Sequence, residues 1–108
     1  VKYKSKHVLI DGHDFPSKME GNRYLKLKEM LKQEKISNLE LQPAFILQEG
    51  FTRDGKKYRP ITYVADFRYK IGDKVIVEDV KGFKTKEYQI KKKLLLYKYE
   101  GFEFKETR

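Results

Sequence analysis

The sequence predicts an α/β fold of the α+β kind: a mixed central sheet flanked by helices, in the order α-β-β-β-α-β after a small leading hairpin. Three observations carry this. Two stretches of helical spacing each follow a good N-cap, Ser17 and Thr85. Runs of β-branched, aromatic and alternating residues lie between and beyond them, and Asp-Gly or Gly-Asp pairs punctuate those runs where hairpins turn.

The elements follow in order. "HVLI" and "HDF" flank Asp11-Gly12, a pair suited to a type I′ turn. Ser17 caps a helix over "KMEGNRYLKLKEMLKQEK", in which Glu20, Tyr24, Leu27 and Leu31 form the stripe that should face the sheet; Gly21 weakens it, and it should end before Ile36-Ser37-Asn38. After Pro43, "AFILQEGF" reads as a strand, "TRDGKKYR" as a basic hairpin loop around Asp54-Gly55, and "ITYVADFRYK" as one long second strand. Gly72-Asp73 turns the chain into "VIVEDVKG", which Lys81-Gly82 ends. Thr85 caps a second helix through about Tyr97, and "GFEFKE" supplies a last short strand. There is no repeat, low-complexity segment or linker, so residues 1–108 are expected to form one domain.

Charge points to partners. The chain carries 25 Lys and Arg against 16 Asp and Glu, a net charge of +9, which favours polyanions and makes nucleic acid the first expectation. No long apolar run, signal peptide or separate basic amphipathic helix is seen, so a membrane is not expected. Zero cysteines remove disulfides, thiol catalysis and Cys-based zinc, and fit an intracellular protein. Two histidines cannot build a His-rich metal site.

The end of "VIVEDVKG" breaks the apolar rule. Strand alternation puts Val75, Val77, Asp79 and Lys81 on one face and Ile76, Glu78 and Val80 on the other. A two-residue type II′ turn at Gly72-Asp73 would set Asp66 opposite Asp79, two carboxylates crowded beside Lys81. Glu20 can bring a third acid from the helix. Carboxylate oxygens converging from separate elements suit Mg²⁺ or Mn²⁺, and a neighbouring lysine can orient a phosphate.

Each piece has a plainer explanation. Ser17-Lys18-Met19-Glu20 fits the capping box, in which Glu20 bonds back to the backbone. Asp79 and Lys81 could be an exposed salt-bridged strand end, with Glu78 as good a candidate acid. Asp66 resists such treatment, because Asp is disfavoured inside strands and no turn residue adjoins it.

An acid on the first helix, Asp on the second core strand and acid-x-Lys on the third resemble the PD-(D/E)XK nuclease superfamily. "FPSKMEGNRYLKLK", "ELQPAF", "YRPITYVADFRY", "VEDVKGFKTKEYQIKKKL" and "GFEF" further resemble small phage-borne and bacterial proteins of unknown function that look like Holliday-junction resolvases. The resemblance implies a PD-(D/E)XK nuclease-like αβββαβ core. It implies Asp66 as central metal ligand, Asp79 and the Val80 carbonyl as further ligands, Glu20 completing the site and Lys81 near the attacking water. Ile61-Thr62 and Ala65-Asp66 stand in place of a Pro-Asp pair, and Asp rather than Glu precedes x-Lys.

The expected activity is Mg²⁺- or Mn²⁺-dependent endonuclease cleavage of branched or structured DNA by a homodimer, in the cytoplasm of a bacterial host cell or from a prophage. From Lys81 to Lys98 there are seven lysines against one glutamate. Thr85, Tyr88 and Lys92, with Lys84, read as a phosphate-facing stripe, and Ile90, Leu94 and Tyr97 as the inward face. A merely solvated lysine-rich helix is the alternative. Arg53, Lys56 and Lys57 on the basic hairpin offer a second backbone contact, while most Tyr and Phe are expected in the core. The rival functions are a non-catalytic nucleic-acid-binding module on the same fold and a scaffold for acidic protein.

Overall fold

The computed structural model describes residues 7–81 and 83–108. Among them are a leading hairpin, β1 (Val8–Ile10) and β2 (His13–Phe15), and a first helix, α1 (Lys18–Lys32). Seven strands follow: β3 (Ser37–Leu41), β4 (Ala44–Gln48), β5 (Phe51–Arg53), β6 (Lys56–Tyr58), β7 (Ile61–Val64), β8 (Phe67–Ile71) and β9 (Lys74–Val80). Helix α2 (Lys86–Lys98) and β10 (Glu103–Thr107) complete the chain. This is an α+β architecture with a mixed central sheet in the order β10-β9-β8-β3: β10 runs parallel to β9, and the other neighbours are antiparallel. No described helix is long and apolar enough to cross a membrane.

Local chemistry explains the turns. Asp11-Gly12 and Asp54-Gly55 have φ of 54° and 79°, and 53° and 78°, the paired left-handed values a type I′ turn requires. Gly72 alone is left-handed in its turn, φ 61°, as a type II′ turn requires, and the β8–β9 register runs Ile71↔Lys74 to Phe67↔Glu78 as that turn predicts. Ser17 and Thr85 cap their helices, accepting from the Glu20 and Tyr88 amides at 3.1 and 3.0 Å. The expected end of the third strand falls partly on Gly82, outside the described residues.

Strands β3 to β8 form a single long ribbon rather than the two strands expected. Leu41↔Phe67, Ala44↔Val64 and Phe45↔Tyr63 keep one register, and the ribbon shifts by a residue between Ile46 and Gln48 before reaching Phe51↔Tyr58 at its tip. Strand β3 had no clear signal: Asn38 and Gln42 are left-handed, φ 52° each, and a bulge between Ser37 and Glu40 disrupts its ladder. The expected run Ile61 to Lys70 breaks at Ala65-Asp66, opposite the bend at Gln42-Pro43. There the Gln42 amide donates to the Asp66 carbonyl at 2.9 Å and the Ala65 amide to the Pro43 carbonyl at 3.0 Å. "AFILQEGF" likewise divides into β4 and β5.

Two apolar layers hold the sheet between the helices. Tyr24 and Leu27 of α1 pack with Phe15, Ile36, Phe67, Tyr69 and Ile76 on one face. Tyr88 and Leu95 of α2 pack with Phe45, Leu47, Tyr63, Ala65 and Val77 on the other. Each large apolar side chain fully buried this way contributes about 1.5–3 kcal/mol. Gly21 is explained by packing: a Cβ there would lie 2.6 Å from Val8 Cγ2, so glycine lets the leading hairpin sit against α1.

Two helix faces differ from expectation. Leu31, near the end of α1, is 38% exposed, and the buried residues of the helix are Glu20, Gly21, Tyr24 and Leu27. On α2 the inward face is Tyr88 and Leu95, while Ile90 and Tyr97 are 61% and 88% exposed and Leu94 is also exposed, so the helix is turned about half a revolution from the expected face. Its apolar residues surround the axis without a clear stripe, and Tyr88 is held inward by a polar bond at its hydroxyl that periodicity does not weigh.

Candidate active site

The bend in the ribbon builds the centre of the site. Because Asp66 leaves the β8 ladder, its carboxylate takes a ladder donor on β9: the Val80 amide donates to Asp66 Oδ2 at 2.6 Å, while the Asp66 amide donates to the Glu78 carbonyl at 3.1 Å. A residue type poor in strands is therefore used to end one strand and bind the next. Glu20 reaches the same place from the first turn of α1. The capping box is half formed: Ser17 accepts from the Glu20 amide, but the Glu20 carboxyl is directed to Asp66, and its Oε2 is buried with no hydrogen-bond partner.

Asp79 points to the other face of the sheet, as alternation requires. It is 1% exposed; the Tyr63 hydroxyl donates to its Oδ2, and its Oδ1 has no hydrogen-bond partner. Lys81 Nζ lies 3.7 Å from that Oδ1 and 4.4 Å from the centroid of the Tyr88 ring. Asp79 and Lys81 open into a cleft of about 370 Å³ that Tyr63, Thr85, Tyr88 and Lys91 also line.

Burial is the main force on all three acids. It raises Glu20 to about 7, helped by the Asp66 charge, raises Asp79 to about 6, and raises Asp66 against the pull of the Val80 amide. Lys81 opposes the rise at every one of the three, so it is the cation common to the group. The four residues are thus brought into one electrostatic neighbourhood. Asp66 and Asp79 take different hydrogen-bond partners, the Val80 amide and the Tyr63 hydroxyl. Among the described residues no three acidic, histidine or cysteine side chains are grouped to hold a metal ion.

Glu78, one residue away, has a different role. It is fully buried and receives Arg23 Nε at 2.5 Å, Arg23 Nη2 at 3.0 Å, the Tyr69 hydroxyl at 2.5 Å and Thr107 Oγ1 at 2.8 Å. Burial pushes its carboxyl up, but Arg23, Tyr69 and Thr107 together outweigh that and hold it below its ordinary value. It ties α1, β8, β9 and β10 together. It is not the interchangeable acid its sequence position allowed.

The expected phosphate contacts separate into three places. Thr85 and Tyr88 line the cleft with Lys81. Lys84 and Lys92 each reach Glu106 at 3.1 Å, and the Tyr88 hydroxyl donates to the same carboxylate, which these donors hold down at about 2. Lys92 therefore clamps α2 to β10 instead of standing free. Arg53, Lys56 and Lys57 lie exposed on the β5–β6 hairpin. Sequence reasoning missed Arg23, Tyr63 and Glu106, whose roles come from contacts across 55, 16 and 18 residues of chain.

No curated protein matches the chain. Residues 1–107 match a family described as "Protein of unknown function (DUF1064)", and the chain belongs to that family.

Proposed function

We propose that the protein is a metal-dependent DNA endonuclease acting on branched or otherwise structured DNA, as a C2 homodimer, through Glu20, Asp66, Asp79 and Lys81. The observation that carries the reading is the buried, unpartnered carboxylate oxygen Glu20 Oε2, in a group of three buried acids, Glu20, Asp66 and Asp79, that share Lys81 as a common cation. A buried acceptor without a donor is costly unless a cation satisfies it. The order of one helix, a run of strands ending in β9, then α2 and a strand β10 beside β9 supports the αβββαβ core that the sequence resemblance implies.

The donor chemistry fits a hard dication: Asp66, Asp79, the Val80 carbonyl and Glu20 offer oxygen alone. Mg²⁺ or Mn²⁺ bound there supplies the positive charge that phosphodiester hydrolysis requires. The chain's own contribution is placement. Lys81 sets an ammonium at the cleft mouth, where it holds a phosphate oxygen against the carboxylates that would repel it. Tyr63 fixes the Asp79 carboxylate, and the Val80 amide fixes that of Asp66, so neither must be ordered when substrate arrives.

The test is cleavage of linear, flap, mismatched and four-way DNA with Mg²⁺ or Mn²⁺. Asp66→Asn and Asp79→Asn are expected to lower the rate by about two orders of magnitude or more while DNA binding is kept or strengthened. Lys81→Ala should stop cleavage and weaken binding. A wild-type protein that cuts none of these substrates overturns the reading. The second reading, a non-catalytic nucleic-acid-binding module, is favoured by the lack of three grouped ligand side chains among the described residues, and it predicts binding without cutting.

A further inference from the structure

We propose that the β5–β6 hairpin is a nucleic-acid-binding arm whose stacked Phe51 and Tyr58 rings take an unpaired base, beside phosphates held by Arg53 and Lys56. The proposal deepens the nuclease reading and rests on it for the class of ligand.

The hairpin stands clear of the domain. Strands β5 and β6 pack against each other and no other described element, and all six of their residues are exposed. Its aromatics therefore do not serve the core. Phe51 and Tyr58 are 45% and 41% exposed, and their rings stack on each other with centroids 4.8 Å apart and planes within 10°. Large aromatic side chains left in water forgo the burial that normally accounts for them.

Register decides what lies beside the rings. Phe51↔Tyr58 and Arg53↔Lys56 are directly opposed pairs two residues apart, so all four share one face, with Lys57 on the reverse. Lys56 Nζ sits 5.2 Å from the Tyr58 ring centroid. A flat aromatic stack flanked by cations on one face matches an unpaired nucleotide, which presents a planar base and a phosphate together; a fully paired duplex hides its base faces. An acidic protein would answer the charge but not the parallel rings.

The base of the arm is closed. A Cβ on Gly50 would meet the Tyr58 carbonyl oxygen at 3.0 Å and Pro60 Cδ at 3.1 Å, so glycine lets the two sides of the neck touch, and the type I′ turn at Asp54-Gly55 closes the tip. The arm is held in direction before any ligand binds, which lowers the ordering cost of binding.

The experiment uses the whole chain and DNA carrying 2-aminopurine, a base whose fluorescence falls on stacking, placed either in a single-stranded gap or within a continuous duplex. Wild-type protein should quench the gap probe and prefer gapped DNA. The double variant Phe51→Ala/Tyr58→Ala, folded by circular dichroism because both sites are exposed, should lose the quench and about tenfold in gapped-DNA affinity. Arg53→Ala/Lys56→Ala should weaken both DNAs alike and flatten the salt slope by about 2. A wild-type protein that leaves the probe unquenched, an aromatic variant that quenches as wild type does, or tighter binding of polyglutamate than of gapped DNA overturns the arm. Cleavage assayed on the same DNAs separates the two readings: quench without cutting removes the nuclease and keeps the arm, and cutting without quench does the reverse.

Discussion

Glu78 and Asp79 are adjacent carboxylates with opposite tasks, and single substitutions separate them. Glu78 is paired with Arg23 where the side chains are 0% and 14% exposed, so removing either partner leaves a buried charge without its counter-ion. Glu78→Gln or Arg23→Ala should cost about 3–5 kcal/mol, read as a fall in the urea midpoint with an unchanged slope. An unchanged midpoint would show that the network is not structural. Glu78→Gln consequently cannot serve as the silent control that strand alternation suggests, because facing away from Lys81 does not mean facing solvent. A silent control lies on the exposed Lys74–Glu103 pair, whose side chains are 62% and 53% exposed.

Two elements depend on particular turn and clasp residues. The Gly72 turn sets the β8–β9 register, and with it which residues of β9 oppose the end of β8; at φ 61° an alanine there should cost about 1 kcal/mol. A Gly72→Ala chain as stable as wild type would mean that the turn relaxes to another type. The leading hairpin is clasped to α1 by Asp11, which accepts from Tyr24 at 2.8 Å and from Lys28. Lys28, then Tyr24, hold the Asp11 carboxyl below its ordinary 3.8. A depressed carboxyl stabilises the fold fully above its unfolded value and loses that contribution as pH falls through its folded one. The melting-temperature gap between wild type and Asp11→Asn should therefore be constant above about pH 4 and close below it; a gap that persists at lower pH contradicts the clasp.

At the scale of the molecule, the ribbon gives the protein its reach. The radius of gyration is 15.8 Å, against about 13 Å for a compact domain of this length. One chain carries one candidate site, while a four-way junction presents two symmetry-related strands, so the proposed resolvase activity needs a C2 pair. Light scattering at micromolar concentration should show a dimer, alone or with junction DNA; a strict monomer in both conditions removes the junction-resolving form and leaves simple nicking. Affinity should respond to salt more than to base sequence, since the exposed lysines suit phosphate and neither described helix is shaped to read bases.

Local chemistry was enough for whatever is decided within a few residues of chain. The two helix starts follow from Ser17 and Thr85 offering an oxygen to an orphan amide. The three hairpins follow from glycine's freedom at positive φ, and the faces of β9 follow from a period of two that nothing remote can alter. The α+β class and the shared face of Asp79 and Lys81 on β9 were legible for that reason, while the approach of Glu20 and Asp66 to them was implied by the family resemblance and the hairpin register rather than by local chemistry. Tertiary contact decided the rest. Whether Glu78 or Asp79 is the structural acid depends on Arg23 and Thr107, both far along the chain. The inward face of α2 depends on Glu106 accepting from Tyr88 and Lys92, which local hydropathy cannot register. The departure of Asp66 from its strand depends on the bend at Gln42-Pro43 across the ribbon and on the Val80 amide, two partners that only the folded chain brings to it.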